Sequence, residues 1–182
     1  MNLPNKLTIL RVLLIPLFLL FLYLTFPNHM YAALAVFAVA SLTDLADGFI
    51  ARRQKLVTDF GKFLDPLADK VLVMAAMLWF VEAGRMTAWC MLLVVAREFA
   101  VTALRLVAVG RGRVIAAAWS GKVKTAATML CVCVMLILPE LPVAKETAGI
   151  IDLVCVVLIV ATTVYSGLEC FIKNRDIFPK EM

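Results

Sequence analysis

Apolar residues dominate this chain in long runs, and polar residues gather between the runs. Six stretches come close to the roughly 20 apolar residues that carry a helix across about 30 Å of hydrocarbon. They extend approximately from Leu7 to Phe26, Tyr31 to Ile50, Phe63 to Val81, Thr87 to Val109, Val114 to Leu138 and Thr147 to Phe171. Residues that end helices stand between them: Pro27 and Asn28, Gly84, Gly110 and Gly112, then Pro139 and Pro142. The pattern predicts an all-α, polytopic membrane protein of six transmembrane helices. A short amphipathic juxtamembrane helix, Met1 to Lys6, precedes them and a short polar tail begins at Lys173. No long linker, internal repeat or low-complexity tract divides the chain, so residues 1–182 read as one membrane domain. The first run follows Lys6 and Arg11 as a signal peptide would, but lacks a small-residue cleavage pattern and is read as a retained helix.

Composition strengthens this reading. With 64% apolar residues and a mean hydropathy of +0.98, the 182 residues carry more oily surface than one soluble core could hide. The net charge of +5 does not indicate nucleic acid, because the cations follow the spans. Lys6, Arg11, Arg52, Arg53, Lys55, Lys62, Arg111, Arg113, Lys122, Lys124, Lys173, Arg175 and Lys180 fall at one set of alternating span ends. The opposite ends keep Arg85 and Lys145. The positive-inside rule then puts both termini in the cytoplasm and faces the basic ends toward anionic headgroups. Cys90, Cys131, Cys133, Cys155 and Cys170 lie in the runs without metal-ligand spacing and read as small apolar residues.

Four carboxylates break the apolar pattern beside one cytoplasmic turn: Asp44, Asp47, Asp65 and Asp69. An acidic residue at the centre of a span costs on the order of 2.5–3.5 kcal/mol, less near the interface, so four demand compensation. Asp44 and Asp47 are three residues apart and Asp65 and Asp69 four apart, spacings that put each pair on one helical face. Asp69 lies about 12 Å along its helix from Gly61, within reach of the cytoplasmic surface. Proton sharing or bound cations must relieve the repulsion among facing carboxylates. An all-oxygen set suits a hard ion such as Mg²⁺ or Mn²⁺, and two such ions can steady the attacking and leaving oxygens of a displacement at phosphorus. Gly48, Ala51 and Gly61 continue the same faces. Close helix packing accounts for each taken singly; together, beside the carboxylates, they suit a flat base or ribose lying against bare backbone.

The register Asp44, Asp47-Gly48, Ala51-Arg52, Gly61, Asp65, Asp69 resembles the signature of the CDP-alcohol phosphatidyltransferases, with no signature position missing. Pro4-Asn5-Lys6-Leu7-Thr8 with Arg11 resembles that family's amino-terminal motif. Ala96-Arg97-Glu98 and Gly121-Lys122-Val123-Lys124-Thr125 resemble the bacterial phosphatidylglycerophosphate synthases, which join sn-glycerol 3-phosphate to CDP-diacylglycerol and release CMP. Thr128 departs from the glutamine expected four residues after the second lysine. The resemblance implies a six-helix bundle in the bacterial cytoplasmic (inner) membrane, a homodimer and a cytoplasmic active site with two divalent ions. It also implies that Asp44, Asp47 and Asp65 ligate metal, and that Asp69 approaches the metal and serves as general base. Gly48, Ala51 and Gly61 would flank the cytidine, and Asn5, Thr8 and Arg52 would help hold the diphosphate of the CDP-lipid.

A phosphorylated acceptor needs fixed cations. Arg105 and Lys124 are the favoured candidates, with Arg97 and Lys122 beside them; Glu98 is a possible partner for Arg97, and snorkelling to headgroups is the simpler account of Lys122. His29, Glu82, Glu140 and Glu146 fall on the outer side and read as loop residues outside the chemistry. Asp152 and Glu169, near the two ends of the last span, read as interfacial, and the patch Thr162, Thr163, Tyr165, Ser166 has no assigned role. A cation-coupled transporter would carry polar positions along several spans toward the outer face, whereas here they concentrate at the cytoplasmic ends. A purely structural bundle would gain nothing from four clustered aspartates. Within the enzyme reading, the rival acceptors are phosphatidylglycerol, as in a cardiolipin synthase, inositol phosphate, serine and a choline-type alcohol.

Overall fold

The computed structural model describes the backbone of residues 3–54, 59–116 and 118–177, and the side chains of residues 10–43, 70–116 and 118–177. Among the described residues the chain is all-helical and contains no strand. The long helices are α1 (Leu3–Tyr23), α2 (His29–Gln54), α3 (Asp59–Glu82), α4 (Ala88–Gly110), α5 (Trp119–Ile137) and α6 (Lys145–Lys173), with 3-10 turns η1 (Leu138–Glu140) and η2 (Arg175–Ile177).

The breakers act where the sequence puts them. Asn28 adopts φ 63° after α1, Gly84 φ 70° after α3, and Gly112 φ 70° after α4. At the end of α4 the Gly112 N–H donates to Val109 O (2.9 Å) and the Arg113 N–H to Ala108 O (2.9 Å), the paired bonds of a Schellman cap. That cap turns the chain before Val114, and α5 starts at Trp119, not at the expected Val114. A second boundary also differs: the described part of the amino-terminal motif is continuous with the first long helix, which runs from Leu3 to Tyr23 through Pro16, so no separate juxtamembrane helix is present among the described residues.

Two compact units emerge, residues 1–80 with 132–148, and residues 81–131 with 149–182. In the first, α1 packs on α2 through fully buried Phe18 and Phe37, whose ring centroids lie 5.7 Å apart at 47°. Ala33, Phe37 and Ala40 recur at i, i+4 and i+7 and are all fully buried, so α2 turns a small-large-small face inward. Glu140 of η1 accepts a hydrogen bond from the Met30 N–H in the first turn of α2 (3.3 Å), a carboxylate at a helix N-terminus. It therefore caps a helix instead of being the solvated loop charge expected. His29 Nδ1 lies 3.1 Å from the Phe21 carbonyl oxygen and ties the α1–α2 turn.

In the second unit, Thr87 caps α4 by accepting from the Cys90 N–H (3.4 Å). Val101, Leu104 and Ala108 of α4 bury with Cys170 and Ile177, against Ile115 and Phe171. Arg111 donates to the Ile177 carbonyl and Arg113 pairs with Asp176, which fastens η2 beside the α4 terminus. The Arg113 guanidinium holds the Asp176 carboxyl below its usual pKa.

Stretches Trp119–Glu140 and Lys145–Lys173 are long and apolar enough to cross a membrane, and shorter apolar stretches occupy Leu10–Tyr23 and His29–Thr43. Any membrane-length stretch of α4 contains Arg97, Glu98 and Arg105. Phe99, Leu106, Leu130, Leu153 and Leu168 each expose more than half their surface, far more apolar surface than a water-soluble helix presents. All five cysteines are free; Cys131, Cys155 and Cys170 are buried and Cys90 and Cys133 half-buried, as small apolar residues.

Candidate active site

Asp44 and Asp47 fall within α2, and Asp65 and Asp69 within α3, so unbroken helix carries both spacings. The side chains of Asp44, Asp47, Asp65 and Asp69 lie outside the described residues, as do those of Gly48, Ala51, Arg52, Gly61, Asn5 and Thr8. Among the described residues no group of three or more His, Cys, Asp or Glu could hold a metal ion. Carboxylate oxygens are the donors that a hard divalent cation prefers, and α2 and α3 carry the four aspartates at the spacings given above.

Cationic candidates are resolved in the second unit, where they separate into two groups. Lys124 of α5 is buried and donates to Glu98 Oε1 at 2.6 Å. Arg97 of α4 donates from Nη1 to the same Oε1 at 2.8 Å and from Nη2 to Ser166 Oγ of α6 at 2.9 Å. Three helices thus meet on one ion triad, and the side chains of Arg97, Glu98 and Lys124 are only 15%, 14% and 10% exposed. Arg105 and Lys122 are exposed and do not share in it; Lys122 sits over the Trp119 ring, 5.8 Å from its centroid. Of the two favoured candidates, Lys124 belongs to the triad, in company with Arg97, and Arg105 stands apart from it. Arg97 reaches inward because a residue with no side chain, Gly167, faces its stem; a Cβ there would stand 3.0 Å from Arg97 Cγ.

Thr128, one turn beyond Lys124, is buried, and its hydroxyl donates to the Lys124 carbonyl (2.9 Å). The polar patch of α6 now acquires roles. Thr162 donates to its own helix at Leu158 O (2.7 Å), Ser166 donates to Thr163 O (3.2 Å) while accepting from Arg97, and Thr163 is fully buried. Glu169 pairs with Lys173 one turn on.

The sequence reading of Asp152 as interfacial is corrected. Asp152 is buried, with both carboxylate oxygens engaged by Arg85, Nε at 2.7 Å and Nη2 at 2.6 Å. The signal lay in complementary charge: the sequence sets Arg85 apart from most of the other cations, and Asp152 is an acidic residue in an otherwise apolar stretch.

Comparison with known proteins bears on the whole chain. The profile of the CDP-alcohol phosphatidyltransferase family matches residues 1–165. A Bacillus subtilis protein named CDP-diacylglycerol--glycerol-3-phosphate 3-phosphatidyltransferase is 43% identical, the match covering 96% of each chain. An Escherichia coli K12 protein of the same name is also 43% identical, over 82% of this chain and 83% of its own. A probable phosphatidylglycerophosphate synthase of Mycobacterium tuberculosis is 37% identical, over 97% and 83%. An unbroken aspartate register on two consecutive helices and a family profile spanning both helices lead to one conclusion: the chain belongs to the CDP-alcohol phosphatidyltransferase family.

Proposed function

We propose that this protein transfers the phosphatidyl group of CDP-diacylglycerol to sn-glycerol 3-phosphate, forming phosphatidylglycerophosphate and CMP in anionic phospholipid synthesis. The observation that carries the reading is the complete aspartate register in a chain that aligns over 96% and 82% of its length with two relatives named for this reaction. In this reading residues 1–182 act as one catalytic domain with six membrane-crossing helices in the bacterial cytoplasmic membrane. Termini and active site face the cytoplasm, as the placement of Lys and Arg supports. A homodimer is the assembly that goes with it.

The chemistry follows from the side chains. A hydroxyl of glycerol 3-phosphate attacks the β-phosphorus of the CDP-lipid. As the new P–O bond forms, the bond to the bridging oxygen breaks, and CMP departs with the electron pair. Asp69 takes the hydroxyl proton, since a carboxylate held next to the attacking oxygen is suited to general-base work. Asp44, Asp47, Asp65 and Asp69 would hold two divalent ions, Mg²⁺ or Mn²⁺, whose charge would offset that of the diphosphate and of the departing CMP. Gly48, Ala51 and Gly61 give the cytidine room, and Asn5, Thr8 and Arg52 bind the diphosphate. The acceptor's phosphate is taken by Arg97 and Lys124, which already converge on one anionic oxygen. Arg105 and Lys122, being exposed, meet the acceptor and the headgroups first.

Acceptor competition tests this reading. Purified protein with CDP-diacylglycerol and Mg²⁺ or Mn²⁺ should release CMP with glycerol 3-phosphate. Release confined to phosphatidylglycerol, inositol phosphate or serine would overturn the acceptor. Absence of release with every acceptor, from folded and metal-loaded protein, would overturn the reaction.

A further inference from the structure

Glu98 is the unexpected member of the cationic cluster. A site that binds a phosphate gains from positive charge, yet a carboxylate stands at its centre and accepts from both Arg97 and Lys124 through a single oxygen. Neighbouring residues on a helix point about 100° apart, so Arg97 and Glu98 do not face each other by default. Arg97 must wrap back, and Ser166 at 2.9 Å together with the notch at Gly167 holds it in that path. One donor is left over: Arg97 Nε is buried and has no hydrogen-bond partner among the described residues. With that donor unspent, the cluster keeps hydrogen-bonding capacity for a further acceptor.

We propose that Glu98 is a positioning residue for the acceptor's phosphate, gathering Arg97 of α4 and Lys124 of α5 onto one point. The inference rests on the reading that these two cations bind that phosphate. Two donors that meet on one carboxylate oxygen are close enough together to meet on one phosphate. Without the carboxylate, two like charges in a span would repel, and each long side chain would escape toward water. With it, the cations are held in place before the acceptor arrives, so less side-chain freedom is lost on binding. Glu98 does not touch the reacting phosphorus in this account and should leave use of the CDP-lipid unaffected.

Steady-state kinetics of the full-length protein in phosphatidylglycerol-free proteoliposomes separates the possibilities, with Glu98→Ala, Glu98→Gln and Lys124→Ala compared with wild type. Glu98→Ala should raise KM for glycerol 3-phosphate by about ten-fold or more, the effect of roughly one charge-assisted hydrogen bond, with KM for CDP-diacylglycerol unchanged. Glu98→Gln keeps an acceptor oxygen and should fall between Glu98→Ala and wild type. If Lys124→Ala raises the acceptor KM while both Glu98 variants leave it at the wild-type value, the positioning role is wrong and the acceptor site stands. Loss of kcat in the Glu98 variants with both KM values unchanged also overturns the role, since that is what a structural part would give. An unchanged acceptor KM in Lys124→Ala removes the acceptor reading itself and the inference with it. Should Glu98→Ala fail to fold, the near-isosteric Glu98→Gln decides alone.

Discussion

Replacing Asp152 by alanine should destabilise the protein without touching its chemistry. The Arg85–Asp152 pair has the bidentate geometry of a strong charge-assisted contact, 2.7 and 2.6 Å, and the side chains are only 15% and 12% exposed. Removing one partner of a buried pair costs about 3–5 kcal/mol, most of it the penalty of keeping the other charge buried without that partner. Residual water access lowers that figure, and about 3 kcal/mol is the expected loss. For a chain of this length such a loss lowers Tm by roughly 6–12 °C. Cys131, Cys155 and Cys170 are buried free thiols, so a thiol-reactive fluorophore added in detergent reports the transition directly. A Tm for Asp152→Ala within 1–2 °C of wild type would refute the reasoning.

Other predictions concern the remaining sites. Gly167→Leu should raise KM for glycerol 3-phosphate several-fold by pushing Arg97 off α6, whereas Gly167→Ala, whose Cβ would stand 3.0 Å from Arg97 Cγ, needs a shift of a few tenths of an ångström and should have a small effect; equal KM values in Gly167→Leu and wild type would exclude the notch. Asp69→Asn should retain nucleotide binding, measured by calorimetry with CDP, and lose turnover; retained turnover would remove Asp69 as the base. Arg113→Ala should leave Tm at neutral pH nearly unchanged, because Arg113 and Asp176 are both exposed. Since Asp176 has a lowered carboxyl pKa when folded, its contribution is present above the unfolded pKa and lost as pH falls through the folded value. Any Tm difference between Arg113→Ala and wild type should therefore shrink on acidification; one that grows would contradict the pairing.

Much of the architecture could be read from the chain because its determinants are local. Apolar run length and breaker residues placed α2, α3, α4 and α6 to within a few residues, and Asn28, Gly84 and Gly112, read as helix-ending residues, do stand at helix ends, each with a positive φ. The start of α5 was missed because Val114 to Ala118 are as apolar as the helix that follows. What separates them is the Schellman cap at Gly112, a hydrogen-bond arrangement that hydropathy does not register. Partnerships between distant residues were harder. Glu98 could be paired with Arg97 because the two are adjacent, but Lys124, 26 residues further on, joins them only when α5 packs on α4. Asp152 looked interfacial for the same reason, its partner Arg85 being 67 residues away. The sequence favours Arg105 over Arg97 for the acceptor's phosphate; what it does not register is that Arg105 is exposed while Arg97 is held beside Glu98.

The central claim is that the four aspartates support transfer of a phosphatidyl group to glycerol 3-phosphate. Its most direct test follows radiolabelled glycerol 3-phosphate into organic-soluble lipid, alongside CMP release, for wild type and for Asp65→Asn in proteoliposomes containing CDP-diacylglycerol and Mg²⁺. Wild type should convert label to lipid in equal amount to the CMP released, and Asp65→Asn should do neither. Label that stays water-soluble with wild-type protein, or an Asp65→Asn variant as active as wild type, would contradict the account.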